Sequence, residues 1–321
     1  MIVYFKIQYV TRQYTVYKTR EVTNLQEIRL KARAKINLTL DVTGKQPNGY
    51  HTVQMIMQTI SLYDDVYIKR IDKPIIRLKS NLDWLPTDEK NLAYKGARLL
   101  RDTFDIQEGI FIELNKKIPV AAGLAGGSAD CAAVLVGINK LFHLGLSKKR
   151  LMELGVQLGA DIPYCILQGT AVAEGIGEKL TPISEGCPFC YVLLAKPNIS
   201  VSTASVYQKL HLNEIKQHPN TEQMLFQMKQ KNIQEMGNLL CNVLETVTIP
   251  MYKEIALLKE KMITLGAKGS VMSGSGPTVF GLFTDKLKAI EAGEIIKKKF
   301  GLRDVLVTKI WNKPQHKRRG F

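Results

Sequence analysis

Long apolar runs are missing from this chain of 321 residues. No stretch approaches the roughly 18 consecutive apolar residues that a membrane-spanning helix needs. The opening "MIVYFKIQYVTRQYTVYKTREV" scatters Lys6, Arg12 and Lys18 and has no compact apolar core with a small-residue cleavage site. It therefore does not read as a secretion signal, and a cytoplasmic location is expected. Cysteine is scarce: five in the whole chain exclude a disulfide framework. Cys187 and Cys190 form a lone "CPFC". No second pair or histidines stand at zinc spacing. "YVLLAKP" after Cys190 reads as a strand, whereas a thioredoxin-like pair opens a helix, so packing is the expected role. Acidic residues are also few, 29 against 45 Lys and Arg, for a net charge of +16. Such a balance suits nucleic acid or anionic small molecules. The one dense basic cluster is the tail "NKPQHKRRGF", and no zinc-finger or RNA-binding signature accompanies it. A solvated tail is expected, with neither nucleic acid nor membrane as partner. Internal repeats and low-complexity segments are absent as well.

What is present alternates strands and helices without a regular parallel βαβ series, which predicts an α+β protein of two layered domains. "RLKARAKINLTLDVT" alternates strictly and predicts a half-buried strand. Lys31, Arg33, Lys35, Asn37, Thr39 and Asp41 fall on its polar face. "GKQPNGYH" is a turn. "TVQMIMQTISLY", "DVYIKRI" and "GIFIELNKKI" read as strands. "NLAYKGARLLRDTF" reads as a helix capped by Asn91 or a neighbour, and "SKKRLMELGVQLG" as another. "AVAEGIGEKLTPI" reads as strand, glycine turn and strand. A second region begins near Cys190 with "YVLLAKP", continues in helices over 203–264, and closes with a helix over 286–300 and the strand "DVLVTKIW". The expected organisation is an extension of unassigned role over 1–28, a first domain over 29–187, a second over 188–313, and a basic tail over 314–321.

Four stretches carry chemistry. "PVAAGLAGGSADCAA", residues 119–133, sets Gly123, Gly126 and Gly127 before a helix predicted from Ser128 to Phe142. A glycine turn into a helix N-terminus exposes unpaired N–H groups and the positive end of the helix dipole, which together favour phosphate. A tight packing turn is the plainer alternative. Neither a Walker A ending nor a G-x-G-x-x-G fingerprint is present. Ser128 is placed to cap the helix or to bind a metal ion. Asp130 would repel phosphate unless it faces away or toward a cation. In "AKINLTLDVTGKQPNGYHTV", Lys35 and Asn37 share a strand face, and Tyr50 and His51 follow the turn. A solvated face and a small polar pocket both fit that pattern. In "LGADIPYCI", Asp161 reads equally as a turn aspartate or a general base. "SGSGPTVFGLF" is a tight loop before a buried strand and by itself says little.

Taken in order, these four stretches resemble the GHMP kinases. The first and last look like that family's second and third motifs. The segment around Lys35 is similar to the branch whose alcohol acceptor is 4-diphosphocytidyl-2-C-methyl-D-erythritol (CDP-methylerythritol), and the resemblance covers about residues 29–312. It implies a two-domain fold, with a ribosomal protein S5 domain 2-like N-terminal domain and a ferredoxin-like C-terminal domain. It implies ATP and Mg²⁺ as cofactors, a small-molecule substrate, and a monomer or homodimer. Lys35 and Asp161 match the catalytic pair. Pro119, Gly123, Leu124, Ala125, Gly126, Gly127 and Ser128 match the phosphate loop, with Ser128 the candidate Mg²⁺ contact and Asn91 an adenine contact. Asn37, Tyr50, His51, Thr203 and Tyr207 match substrate contacts, with Tyr50 and Tyr207 placed to sandwich cytosine. The chain departs from the family in carrying Ala125 where a glycine is common and Cys131 where alanine is usual; both are small. Mevalonate- or homoserine-type kinases and a non-catalytic nucleotide-binding regulator are the competing readings.

Overall fold

The computed structural model describes residues 25–47 and 49–314. The extension call over 1–28 falls mostly outside the described residues, and the basic-tail call almost wholly so. The first region runs β1 (Glu27–Lys45), β2 (His51–Ile71), β3 (Ile76–Ser80), α1 (Leu92–Thr103), β4 (Gly109–Asn115) and α2 (Gly126–Leu141). It continues with α3 (Lys148–Gly155), α4 (Ile162–Leu167), β5 (Thr170–Glu174) and β6 (Lys179–Pro182). The rest comprises β7 (Tyr191–Lys196), α5 (Thr203–Gln208), α6 (Thr221–Lys229), α7 (Ile233–Asn238), β8 (Cys241–Asn242), α8 (Glu245–Met251), α9 (Glu254–Thr264), β9 (Ser270–Met272), β10 (Val279–Phe283), α10 (Lys286–Phe300) and β11 (Asp304–Lys309).

β1 and β2 form one long antiparallel ribbon at the centre of a sheet ordered β3-β4-β2-β1-β8, with β5 pairing a second stretch of β2 and β6 pairing β5. The two strands expected over "TVQMIMQTISLY" and "DVYIKRI" are one continuous strand. Register shifts at Arg33/Lys35, Asn37/Thr39 and Val42/Gly44 bend the ribbon, as bulges do. A second sheet, β11-β7-β10-β9, is antiparallel throughout. "YVLLAK" is apolar without alternation because β7 is covered on both faces. Leu193 and Ala195 pack with Ile296 and Leu258, while Val192 and Leu194 pack with Ile36 and Ile60 from the first sheet. Cys187 and Cys190 are unbridged and buried in that inter-sheet core.

The polar face of β1 departs most from its sequence pattern. Arg29 and Lys31 are exposed, but Lys35, Asn37 and Thr39 are buried, Asn37 and Thr39 completely. Ala32 belongs to the core beneath α1 and α2, whereas Ala34, Ile36 and Leu38 belong to the core between the sheets. The ribbon thus leaves solvent at its first bulge and enters the junction of both layers. A buried ammonium and amide are costly without partners, and their partners define the site. Among the described residues, no helix is long and apolar enough to cross a membrane.

Candidate active site

Lys35 Nζ donates to Asn37 Oδ1 at 2.8 Å and stands 3.8 Å from Asp161 Oδ2. The lysine side chain is 6% exposed and the aspartate 36%. Asp161 occupies the cap position of α4, yet its side chain makes no capping bond. Its carboxylate instead faces Lys35 and the cavity in front of it. The Lys35 backbone N–H donates to Leu124 O at 3.1 Å, so the strand that carries the ammonium also pins the glycine loop.

In that loop, Ala121, Gly123 and Ala125 have φ of 53°, 72° and 56°, and the residues between them do not share the positive sign. Left-handed residues at every second position bend the chain tightly just ahead of α2. α2 begins at Gly126, two residues earlier than predicted, and its cap is Ala125 in the left-handed region without any side-chain bond. Ser128 is therefore not the cap. It lies inside the first turn, where the N–H groups have no intrahelical partner. Glycine at 123 is required by contact as well as by φ: a Cβ there would stand 2.2 Å from Ser273 O. Ser273 Oγ donates to Gly123 O at 3.0 Å, which brings "SGSGP" directly against the loop. Asn242, which belongs to none of the four motifs, holds that second loop. Its Nδ2 donates to Met272 O and Gly274 O, both at 2.8 Å. A two-residue strand inside a helical stretch leaves no periodicity to find.

His51 and Tyr207 meet with ring centroids 5.2 Å apart and planes tilted by 36°. Burial and then the charge of Lys45 push the His51 imidazole below its ordinary value. That favours the neutral ring, which offers one donor and one acceptor. Burial first, then Asp161, push the Tyr207 phenol up. Tyr50 is 60% exposed and lines the same cavity as Tyr207, while His51 is the ring that meets Tyr207. Thr203 Oγ1 and Ser275 Oγ lie 2.7 Å apart, linking α5 to the second glycine loop.

One cavity of about 890 Å³ collects most of these groups: Lys35, Asn37, Tyr50, His51, Asp161, Thr203, Tyr207, and the loop at Gly123 and Ala125–Ser128. A smaller cavity of about 190 Å³ is lined by Asn91, Pro119, Lys116 and Asp130, and shares Gly126 and Gly127 with the first. Asn91 does cap α1, its Oδ1 accepting from Ala93 N–H at 2.9 Å and its Nδ2 donating to Pro86 O at 2.8 Å. Leu124 lines neither cavity and is buried in the inter-sheet core. Asp130 faces a cation, as the phosphate reading required: Lys116 lies between it and Asp64.

Residues 91–169 match the family model for the GHMP kinases N terminal domain and residues 224–302 that for the GHMP kinases C terminal domain. A 4-diphosphocytidyl-2-C-methyl-D-erythritol kinase of Lachnospira eligens is 49% identical over 88% of this chain and 98% of its own. One from Lachnoclostridium phytofermentans is 54% identical over 82% of this chain and 90% of its own. The chain belongs to the GHMP kinase family. A crystal structure of 4-(cytidine 5'-diphospho)-2C-methyl-D-erythritol kinase superposes with a TM-score of 0.76 at 28% identity, covering 89% of this chain and all of that one. Homoserine kinase from Cytophaga hutchinsonii shares the fold, with a TM-score of 0.70 at 21% identity, 92% of this chain and 97% of that one being covered. The two-domain GHMP kinase fold expected from the motifs is thus the fold observed. In this GHMP kinase the long β1–β2 ribbon brings Lys35 and His51, sixteen positions apart in sequence, to the rim of the same space.

Proposed function

We propose that the protein transfers the γ-phosphoryl group of ATP to the 2-hydroxyl of 4-diphosphocytidyl-2-C-methyl-D-erythritol, giving ADP and the 2-phosphate in the non-mevalonate route to isoprenoid precursors. One observation carries the reading: a single cavity joins a glycine loop at a helix N-terminus to a lysine–aspartate pair and to an aromatic–imidazole pair. Phosphoryl transfer needs positioning and charge neutralisation more than covalent help. The triphosphate lies along Gly123 and Ala125–Ser128, with the nucleoside toward the smaller cavity. The acceptor hydroxyl approaches Asp161, which takes its proton as the oxygen–phosphorus bond forms and the bond to ADP breaks. Lys35 holds that carboxylate in place and offsets charge developing on the transferred group.

The cytosine end rests on Tyr207 and His51, the neutral imidazole reading the base edge and the rings supplying stacking surface. Mg²⁺ fits this donor set. Among the described residues no group of three or more His, Cys, Asp or Glu could hold a metal ion, and Mg²⁺ is bound by few protein ligands together with substrate phosphates and water. Ser128 is the hydroxyl placed to touch it, and when bound the ion neutralises phosphate charge. The test is ADP release by purified enzyme offered CDP-methylerythritol, mevalonate or homoserine with ATP. Turnover with the cytidyl alcohol alone is expected; preference for either other alcohol would overturn the assignment.

A further inference from the structure

At the end of α4 far from Asp161, two lysines meet without an acid. Lys148 Nζ donates to Leu167 O at 2.6 Å, and Lys313 Nζ donates to the same oxygen at 3.1 Å. That carbonyl ends the helix, where oxygens lack intrahelical donors and cations are favoured. One ammonium meets the need. Two stand side by side, within hydrogen-bonding reach of each other, and an ammonium has no lone pair with which to accept. Both come from fixed backbone. Lys148 follows Ser147, whose Oγ accepts from Arg150 N–H at 3.1 Å to cap α3. Lys313 follows Trp311, whose N–H donates to Thr59 O at 3.0 Å, and Asn312, whose Nδ2 donates to Cys187 O at 2.7 Å. A Cβ on Gly169 would stand 3.8 Å from Lys313 Cβ, so this segment passes close over the end of α4.

Among the described residues no carboxylate answers the pair. On α3, Glu153 pairs with Arg150, and Lys149 adds a further cation. On α4, Asp161 pairs with Lys35, Tyr164 OH donates to Gly169 O at 2.6 Å, and burial pushes the Cys165 thiol up. α2 also packs on α3; its Asp130 is held by Lys116, and its Lys140 is again a cation. Like charges this close are unstable unless one side chain gives up its proton. Burial first, then Lys313, lower the Lys148 ammonium to about 7. Lys148 is half-buried and Lys313 exposed, so a small reagent reaches both.

We propose that Lys148 is a modification site, an amine nucleophile set beside the Lys313 cation, and that the reagent it takes is a small acyl phosphate. A lysine is activated in this way by desolvation and a cationic neighbour. An acyl phosphate is anionic, which suits a pair with surplus positive charge. The Nζ lone pair attacks the acyl carbon, the carbon–oxygen bond to phosphate breaks, and inorganic phosphate leaves with that electron pair. The amine loses one proton to solvent. Lys313 faces the departing anion and offsets its charge. The product is an uncharged amide that keeps one N–H for Leu167 O, so acylation removes the like-charge contact and leaves the helix end bonded. Neither lysine lines either cavity, and the inference needs nothing from the nucleotide reading.

The intact enzyme is exposed to acetyl phosphate for timed intervals, then digested and mapped by mass spectrometry, with the exposed neighbour Lys149 as internal reference. At about pH 7.5, Lys148 should be acetylated about tenfold or more faster than Lys149, because an amine titrating well below the ordinary lysine value of about 10.4 is mostly deprotonated there. The advantage should shrink toward about pH 10, since the Lys148 rate levels off above its titration while ordinary lysines go on gaining free amine. Lys313→Gln should cut the advantage about threefold or more at about pH 7.5, and Lys313→Arg, which keeps the cation, should hold it within about twofold. Should Lys313→Gln fail to fold, the pH profile of the wild type decides alone. Equal rates at the two lysines, a ratio independent of pH, or an undiminished advantage in Lys313→Gln overturns the proposal. An advantage just as large with a neutral thioester, S-acetyl-N-acetylcysteamine, overturns the assignment to acyl phosphates.

Discussion

Lys35 and Lys116 are both buried ammoniums beside aspartates, at opposite sides of one glycine loop, and their surroundings differ in one respect. Asp161 lies 3.8 Å from Lys35 and keeps a third of its side chain open to the cavity, while Asp64 and Asp130 close tightly on Lys116 beside the smaller cavity, all three side chains nearly unexposed. A pair that is long and half-open can exchange a proton with a ligand. A cluster that is tight and almost unexposed holds its neighbours in place, at a desolvation cost that close contact must offset. Separation and access to solvent, more than residue type, distinguish the chemical lysine from the architectural one.

The sharpest way to break this comparison is at the open pair. Asp161→Asn should lower turnover by about 10²–10⁴ with ADP affinity nearly unchanged, the usual cost of losing a general base; coupled ADP release and calorimetry read the two quantities. Unfolding free energy should hardly move, because the carboxylate is partly solvated. At the tight cluster the pattern should invert. Lys116→Met leaves two buried carboxylates without their cation and should cost about 3–5 kcal/mol in denaturant unfolding. If Lys116→Met proved as stable as the parent, the division between the two lysines would be wrong. A smaller effect is expected at the acceptor end. Tyr207→Ala should weaken the cytidyl alcohol by about 1–3 kcal/mol, the value of one base–aromatic stack, and leave ATP unaffected. Equal loss for both ligands in titrations would remove Tyr207 from the acceptor pocket. The mildest is Ala125→Gly. A left-handed alanine costs roughly 1–2 kcal/mol, part of which returns through glycine's greater unfolded entropy. A gain of about 1 kcal/mol in stability with unchanged turnover is expected, and a loss of stability would contradict the left-handed cap.

How much of this was legible without the structure depends on the kind of signal. The Asn91 cap and the helix over 286–300 follow local rules and stand where those rules put them, while α2 starts two residues early and takes in Gly126 and Gly127. Lys35 and Asn37 were assigned to one face of a strand, but alternation alone says nothing about whether a second layer covers that face. The covering here comes from "SGSGP" and from Asn242, more than two hundred residues away, so only the family motifs hinted at a pocket. The difficulty of Asp130 was visible as a carboxylate at a phosphate site, and its solution was not: Lys116 reads as an ordinary lysine at the end of a strand. His51 was placed at the pocket, yet its partnership with Tyr207 depends on α5 packing against the ribbon, a contact that neither stretch announces.

The central claim is that nucleotide phosphate sits in the bend before α2, facing Lys35 and Asp161. A crystal structure of the enzyme with a nonhydrolysable ATP analogue and the cytidyl alcohol tests it most directly. The account predicts the terminal phosphate within hydrogen-bonding distance of the loop N–H groups, and the acceptor hydroxyl against Asp161. An analogue bound elsewhere with the loop left empty, or a lysine and aspartate drawn apart in the complex, would contradict it.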